Sequence, residues 1–231
     1  MRPFALFVSL VLACSAAPRS TPAPPADAAA PAAPVRFVSL GDSFTIGTGS
    51  SPAEAWPAQL VARWGQRGCR VALENPSVNG YATDDLVRDE LPVVARLRPA
   101  VVSLAVGAND YVRGSTPERY RAQLRVIFQG LADAGVAPRQ VFVLPQPDWS
   151  TAPAARGFGS PAEILNGINT FNSILEDETR RFGGHFAPLF ALMQRQAAAA
   201  MFAPDGLHPN AAAHAAWAAQ LVDALADPCR P

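Results

Sequence analysis

Lysine is absent from this chain of 231 residues, and all 19 basic side chains are arginine. Its absence excludes a lysine Schiff base and a Walker-type phosphate loop, both of which need the ε-amino group. Excess charge of either sign is missing too, because 19 acidic residues balance the arginines. A surface that binds nucleic acid by releasing counterions is therefore not expected. Histidine and cysteine number only three each, and no pair has zinc-ligand spacing. No metal and no cofactor is expected on that basis. Charged residues make up only 16% of the chain, whereas 49% are hydrophobic. A disordered chain would be more polar, so most of this one can bury a core. The length suits one domain of ordinary size or two small ones.

What is present begins with an export signal. Arg2 precedes an apolar run from Phe4 to Ala13, too short to span a bilayer. The run ends in Val11-Leu12-Ala13-Cys14, which resembles a bacterial lipobox. That resemblance implies lipidation of Cys14 after cleavage; the other reading is an ordinary signal peptide lost together with Cys14. Residues 15–34 hold nine Ala and six Pro, with no apolar pattern to bury and too much Pro for a helix. They are expected to form a semi-extended spacer. The chain thus divides into a signal over 1–14, a linker over 15–34 and one folded domain over 35–231.

Strands and helices alternate through the folded part. Short β-rich runs stand at Val35–Leu40, Val71–Glu74, Ala100–Val106, Val141–Leu144 and His185–Leu189. The third is almost wholly apolar, as a central parallel strand buried on both faces should be. Helices are expected over Glu54–Gln66, Asp84–Leu97, from Thr116-Pro117 to Gly135, from Ser160 onward and over Asn210–Ala226. Thr116 is a good N-cap with Pro at the first helical position, and Tyr120, Leu124, Ile127 and Leu131 make one buried stripe. Ile164, Ile168, Phe171 and Leu175 make another. This alternation predicts a doubly wound, flavodoxin-like three-layer α/β/α domain with a central parallel sheet of about five strands. Ligands in such folds bind beyond the carboxyl ends of the strands.

Four motifs fall at those places. They are Gly41-Asp42-Ser43-Phe44, Asn75-Pro76-Ser77-Val78-Asn79-Gly80, Gly107-Ala108-Asn109-Asp110 and Asp205-Gly206-Leu207-His208. In that order they resemble the four blocks of the SGNH hydrolases, also called the GDSL esterase and lipase family. The family name implies Leu where this chain has Phe44. The resemblance spans Gly41 to His208 and implies a carboxylic ester hydrolase.

The residues support the same chemistry without the name. Ser43 stands between a strand and a helix, and a serine there becomes a nucleophile when a base reaches it. His208 has Asp205 three residues earlier, a spacing that lets the carboxylate hold one ring nitrogen and leave the other for Ser43. His185, at a strand start among apolar residues, reads as structural. His214 lies on the last helix, turned away from His208. Asp42 and Asp110 are rival acids, read as structural acceptors. The resemblance assigns the oxyanion donors to the backbone N–H groups of Ser43 and Gly80 and to the Asn109 amide. No serine has the G-x-S-x-G context of an α/β-hydrolase elbow.

Hydrolysis of a small-molecule or saccharide ester competes with transfer of the acyl group to a sugar, or deacetylation of a polysaccharide. A catalytically silent binding lipoprotein is the third reading. The loop Pro145–Ser160, with Trp149 and Phe158, is a candidate wall of the substrate pocket. A monomer is expected, periplasmic or on the outer membrane, or else secreted, and touching a membrane only through its lipid. Cys69 and Cys229 both fall at the amino edge of the sheet, after the first and last helices, and are expected to form a disulfide in an oxidising compartment.

Overall fold

A computed structural model describes residues 33–230. Cys14 and the other signal and linker positions before Ala33 lie outside that range. Five strands, β1 Val35–Gly41, β2 Val71–Glu74, β3 Val101–Ala105, β4 Val141–Val143 and β5 His185–Phe186, form one sheet in the order β2-β1-β3-β4-β5. All four pairings are parallel. The order reverses between β1 and β3, and a crevice opens at such a switch point beyond the carboxyl ends.

Nine helices cover the described part of the chain: α1 Ser43–Ile46, α2 Trp56–Gln66, α3 Thr83–Asp89, α4 Leu91–Leu97, α5 Ala108–Val112, α6 Pro117–Asp133, α7 Pro161–Phe182, α8 Phe190–Ala198 and α9 Ala211–Ala224. Alternate strand residues feed the two faces of the sheet. Val38, Leu40, Leu104 and Val143 join Leu86, Leu124 and Phe171 in one core. Phe37 and Phe142 join Trp56, Leu60, Trp64 and Trp217 in the other. This second core rests on α2 and α9, which pack side by side, and its three indoles are all at most 2% exposed. Each such ring removes roughly 150–250 Å² from water, on the order of 4–6 kcal/mol gross before ordering entropy.

The expected Thr116 cap forms, its side chain accepting from the Arg119 N–H. Both expected stripes are buried, Tyr120 to Leu131 on α6 and Ile164 to Leu175 on α7. The expected helix over 84–97 breaks at Glu90 into α3 and α4. Pro92 has no N–H to continue the ladder, and Glu90 turns inward, where its Oε2 accepts the Gly41 N–H at 2.8 Å. Strand β5 has two residues, not five. Ala187 N–H still reaches Val143 O at 2.8 Å, but Pro188 cannot donate further. The helices α1, α5 and α8 escaped the periodicity reading, the first two because each is about one turn long. His185 is exposed at the start of β5, not packed as a structural histidine.

At the amino edge the Cys69 and Cys229 sulfurs lie 2.02 Å apart, at bonding distance, with Cα atoms 5.5 Å apart. No helix among the described residues is long and apolar enough to cross a membrane.

Candidate active site

Ser43 opens α1 directly after β1. Asp42 is the N-cap; its Oδ1 accepts the Phe44 N–H at 3.0 Å. That cap fixes the sharp strand-to-helix turn and leaves Ser43 at the mouth of the crevice. Ser43 is 5% exposed. A cleft of about 280 Å³ is lined by Ser43 and His208 together with Asn109, and by apolar Phe44, Trp149 and Phe158.

Asp205 and His208 sit on a tight loop closed by the Phe202–Pro209 bridge. Asp205 Oδ1 accepts the N–H groups of Leu207 at 2.9 Å and His208 at 3.0 Å. Its Oδ2 lies 2.7 Å from His208 Nδ1. Burial opposes the charge on Asp205, but the Leu207 N–H, the imidazole and the His208 N–H outweigh it and hold the carboxyl below its ordinary range. An ionised Asp205 fixes the tautomer, with the proton on Nδ1 and a free lone pair on Nε2. The Phe44 ring packs against the imidazole with centroids 5.3 Å apart. Phe44 thus braces His208 from the side of the serine turn.

Among the described residues the backbone N–H groups of Ser43 and Gly80 donate to no protein acceptor. Asn109, on α5, donates from Nδ2 to Tyr81 O at 2.9 Å and to Asp42 Oδ2 at 3.3 Å. Its amide is therefore held by two neighbours on other elements. Gly107 makes this turn possible: its φ is +129°, and a Cβ there would lie 2.5 Å from both Tyr120 Oη and Gln146 Nε2.

Asp42 and Asp110 are buried acceptors, as the sequence suggested. Burial raises the Asp42 carboxyl to about 7, against the Phe44 N–H, with Asp110 adding to the rise. Burial also raises Asp110, whose carboxylate accepts the Thr83 N–H at 3.1 Å. Glu90 is pushed to about 8, chiefly by burial and against the Gly41 N–H. His214 is fully buried between α2 and α9, where its Nδ1 accepts the Trp56 N–H at 3.4 Å. Burial and then the charge of His208 lower it to about 4. It is neutral at pH 7, with the proton on Nε2.

Two contributors were not singled out from sequence. Gly49 has φ +88°, and a Cβ there would lie 2.5 Å from Ala203 Cβ and 3.2 Å from Asp205 Oδ2. It lets the acid loop close on the serine turn. Arg113, just after α5, donates to Gly80 O at 2.7 Å and Asp85 Oδ2 at 2.8 Å. The signal for Gly49 lay in the Gly47-Thr48-Gly49 run; Arg113 had none. The Pro145–Ser160 loop does wall the cleft, through buried Trp149 and 47% exposed Phe158. Their rings meet edge to face at 5.9 Å.

A serine at the β1 end, an Asp-His pair before the last helix and an asparagine at the β3 end, on a parallel sheet ordered 2-1-3-4-5, define the class: the SGNH hydrolases. The model of the GDSL-like lipase/acylhydrolase family matches residues 39–216, and the chain belongs to that family. Thioesterase 1/protease 1/lysophospholipase L1 of Escherichia coli (strain K12) is 29% identical over 99 residues, 43% of this chain and 46% of that protein. Esterase TesA of Pseudomonas aeruginosa is 27% identical over 90 residues, 39% of this chain and 45% of that protein. The chain therefore matches less than half the length of these curated relatives. The crystal structure of TesA superposes with a TM-score of 0.66 at 22% identity, covering 80% of this chain and 95% of that one. An acetyl xylan esterase, AlAXEase, gives 0.68 at 16% identity, covering 83% and 100%. Likeness at these identities concerns the fold alone.

Proposed function

We propose that the protein hydrolyses carboxylic esters through an acyl-enzyme on Ser43. The contact between Asp205 Oδ2 and His208 Nδ1, at 2.7 Å, carries this reading, because it leaves Nε2 to act as the base. Ser43 Oγ attacks the ester carbonyl while His208 Nε2 takes its proton. The oxyanion so formed accepts from the Ser43 and Gly80 N–H groups and from Asn109, whose longer bond, 3.3 Å to Asp42, is the one the oxyanion competes with. Collapse expels the alcohol, which takes the proton from His208. Water then attacks the acyl-enzyme by the same steps and releases the acid.

The apolar lining of the cleft supports a neutral acyl group as the part of the substrate bound beside Ser43. A chain-length series of nitrophenyl esters tests the reading, with the products analysed in the presence of an acetylated sugar and a free sugar. Release of free acid supports hydrolysis. An acylated sugar would replace it with acyl transfer, and no turnover on any ester would replace it with a binding role.

Export and anchoring through Cys14 are proposed on the sequence of residues 1–14, ahead of a hydrolase domain over 35–231. Metabolic labelling with palmitate, lost on Cys14→Ala, tests the anchor.

A further inference from the structure

A second cleft, of about 510 Å³, opens at the amino edge of the sheet, at the opposite end of the strands from Ser43. Its floor is apolar: Val101 and Leu225 are partly exposed in it, backed by buried Trp64 and Phe142. One wall is the tail Ala224–Pro228, which the Cys69–Cys229 contact holds against the end of α2. On the rim stand Arg139, just before β4, and His185, at the start of β5, both exposed. Neither side chain makes an ion pair or hydrogen bond with another described residue. Asp227 also borders the cleft, but its carboxylate is engaged by the Cys229 N–H at 2.9 Å and by Arg230 at 3.9 Å.

A pocket of this volume with an apolar floor matches the common design of small-molecule sites. The free guanidinium beside it sets the polar end, since arginine binds carboxylate or phosphate in a forked pair of hydrogen bonds. We propose that this cleft binds an amphipathic anion, a single acyl chain lying on Val101 and Leu225 with its anionic head on Arg139 and His185. Arg36, Arg96 and Arg98, exposed toward the same edge but on the other face of the sheet, make no ion pair with a described residue. These charges draw an anionic amphiphile toward the cleft and disfavour a cationic one. The site does not depend on Ser43 and stands whatever the cleft at the carboxyl edge does.

Calorimetric titration of the full chain with dodecanoate, dodecyl phosphate and dodecyltrimethylammonium, each below its micelle concentration, tests the site. One anion is expected to bind per chain, and the cation at least about tenfold more weakly. Arg139→Gln is expected to weaken dodecanoate about tenfold or more, the usual size of a lost charged hydrogen bond. Leu225→Gln should weaken it as well, and Phe158→Ala, in the other cleft, should not. Unfolding midpoints of the variants confirm that each is folded. Tighter binding of dodecanoate than of dodecyl phosphate identifies a fatty carboxylate, and the reverse identifies a phospholipid-type head. No binding, equal binding of anion and cation, an unchanged affinity in folded Arg139→Gln, or loss in Phe158→Ala alone would overturn the proposal.

Discussion

Asp42 and Asn109 are joined across the switch point of the sheet by a 3.3 Å hydrogen bond from the Asn109 amide to Asp42 Oδ2. The other oxygen of the same carboxylate caps α1 at Phe44. One buried acid thus sets both the turn that presents Ser43 and the amide proposed to meet the oxyanion. Asp42 does not line the cleft that Ser43, His208 and Asn109 share, so it is a positioning residue.

Ser43→Ala should reduce ester turnover to background in a folded protein, and His208→Ala nearly as far, because the two act as a unit. Asp205→Ala should leave more activity than either. Steady-state kinetics with a nitrophenyl ester measures all three, and a fully active Asp205→Ala would mean another acid orients the histidine.

Arg113 ties Gly80 O to the end of α5, the helix that carries Asn109. Arg113→Ala should lower kcat about three- to tenfold with little change in KM, because donor placement matters mainly in the transition state. A rise in KM alone would make the arginine a substrate contact.

Stability should fall as pH rises from about 6.5 to 9. Asp42 and Glu90 have folded values of about 7 and 8, above those of an unfolded chain. The stability they lend is complete at acid pH and is lost as pH rises through those values. His214, depressed to about 4, offsets part of their effect between about pH 4 and 6.5, because there the unfolded chain takes up its proton first. Urea midpoints at pH 6.5 and 9 should differ by an amount worth about 1–3 kcal/mol, and Glu90→Gln should flatten the alkaline fall. An equally steep fall in that variant would assign it to other groups.

Phe158 is exposed over the Ser43 cleft, whereas Trp149 is buried beneath it. Phe158→Ala should raise KM for octanoyl esters several-fold and leave acetyl esters nearly unchanged. An identical chain-length profile would remove the loop from substrate binding.

A bond between Cys69 and Cys229 closes 160 residues of chain. The chain-entropy model values such a link at roughly 5 kcal/mol. Denatured, unreduced protein from an oxidising compartment should show neither thiol free, and reduction should lower its melting temperature. Two free thiols would contradict the link.

The parallel sheet was legible because apolar runs bounded by glycine-rich turns alternate with helical stripes. The four strand-end motifs were legible because a doubly wound fold carries its chemistry at those ends. What sequence could not show depends on contacts distant along the chain. The break at Glu90 comes from an acid reaching Gly41, 49 residues away. The clamp from Arg113 to Gly80 spans 33 residues, and an arginine in a turn reads as ordinary surface. His185 misled because its apolar neighbours suggested burial, whereas the first residue of an edge strand faces out.

Val35 donates its N–H to Arg70 O at 2.9 Å, and Cys229 meets Cys69, the residue before that arginine. Both ends of the folded unit therefore converge on one spot, with the length of the sheet between them and Ser43. The domain is close to a closed ring in its connectivity. A short Gly/Ser bridge from the tail back to Pro34 would let the chain be reopened elsewhere, at the exposed turn around Gly135 for instance, without disturbing the crevice. The same convergence means that a bead or fusion partner attached at either end leaves the mouth of the cleft facing outward.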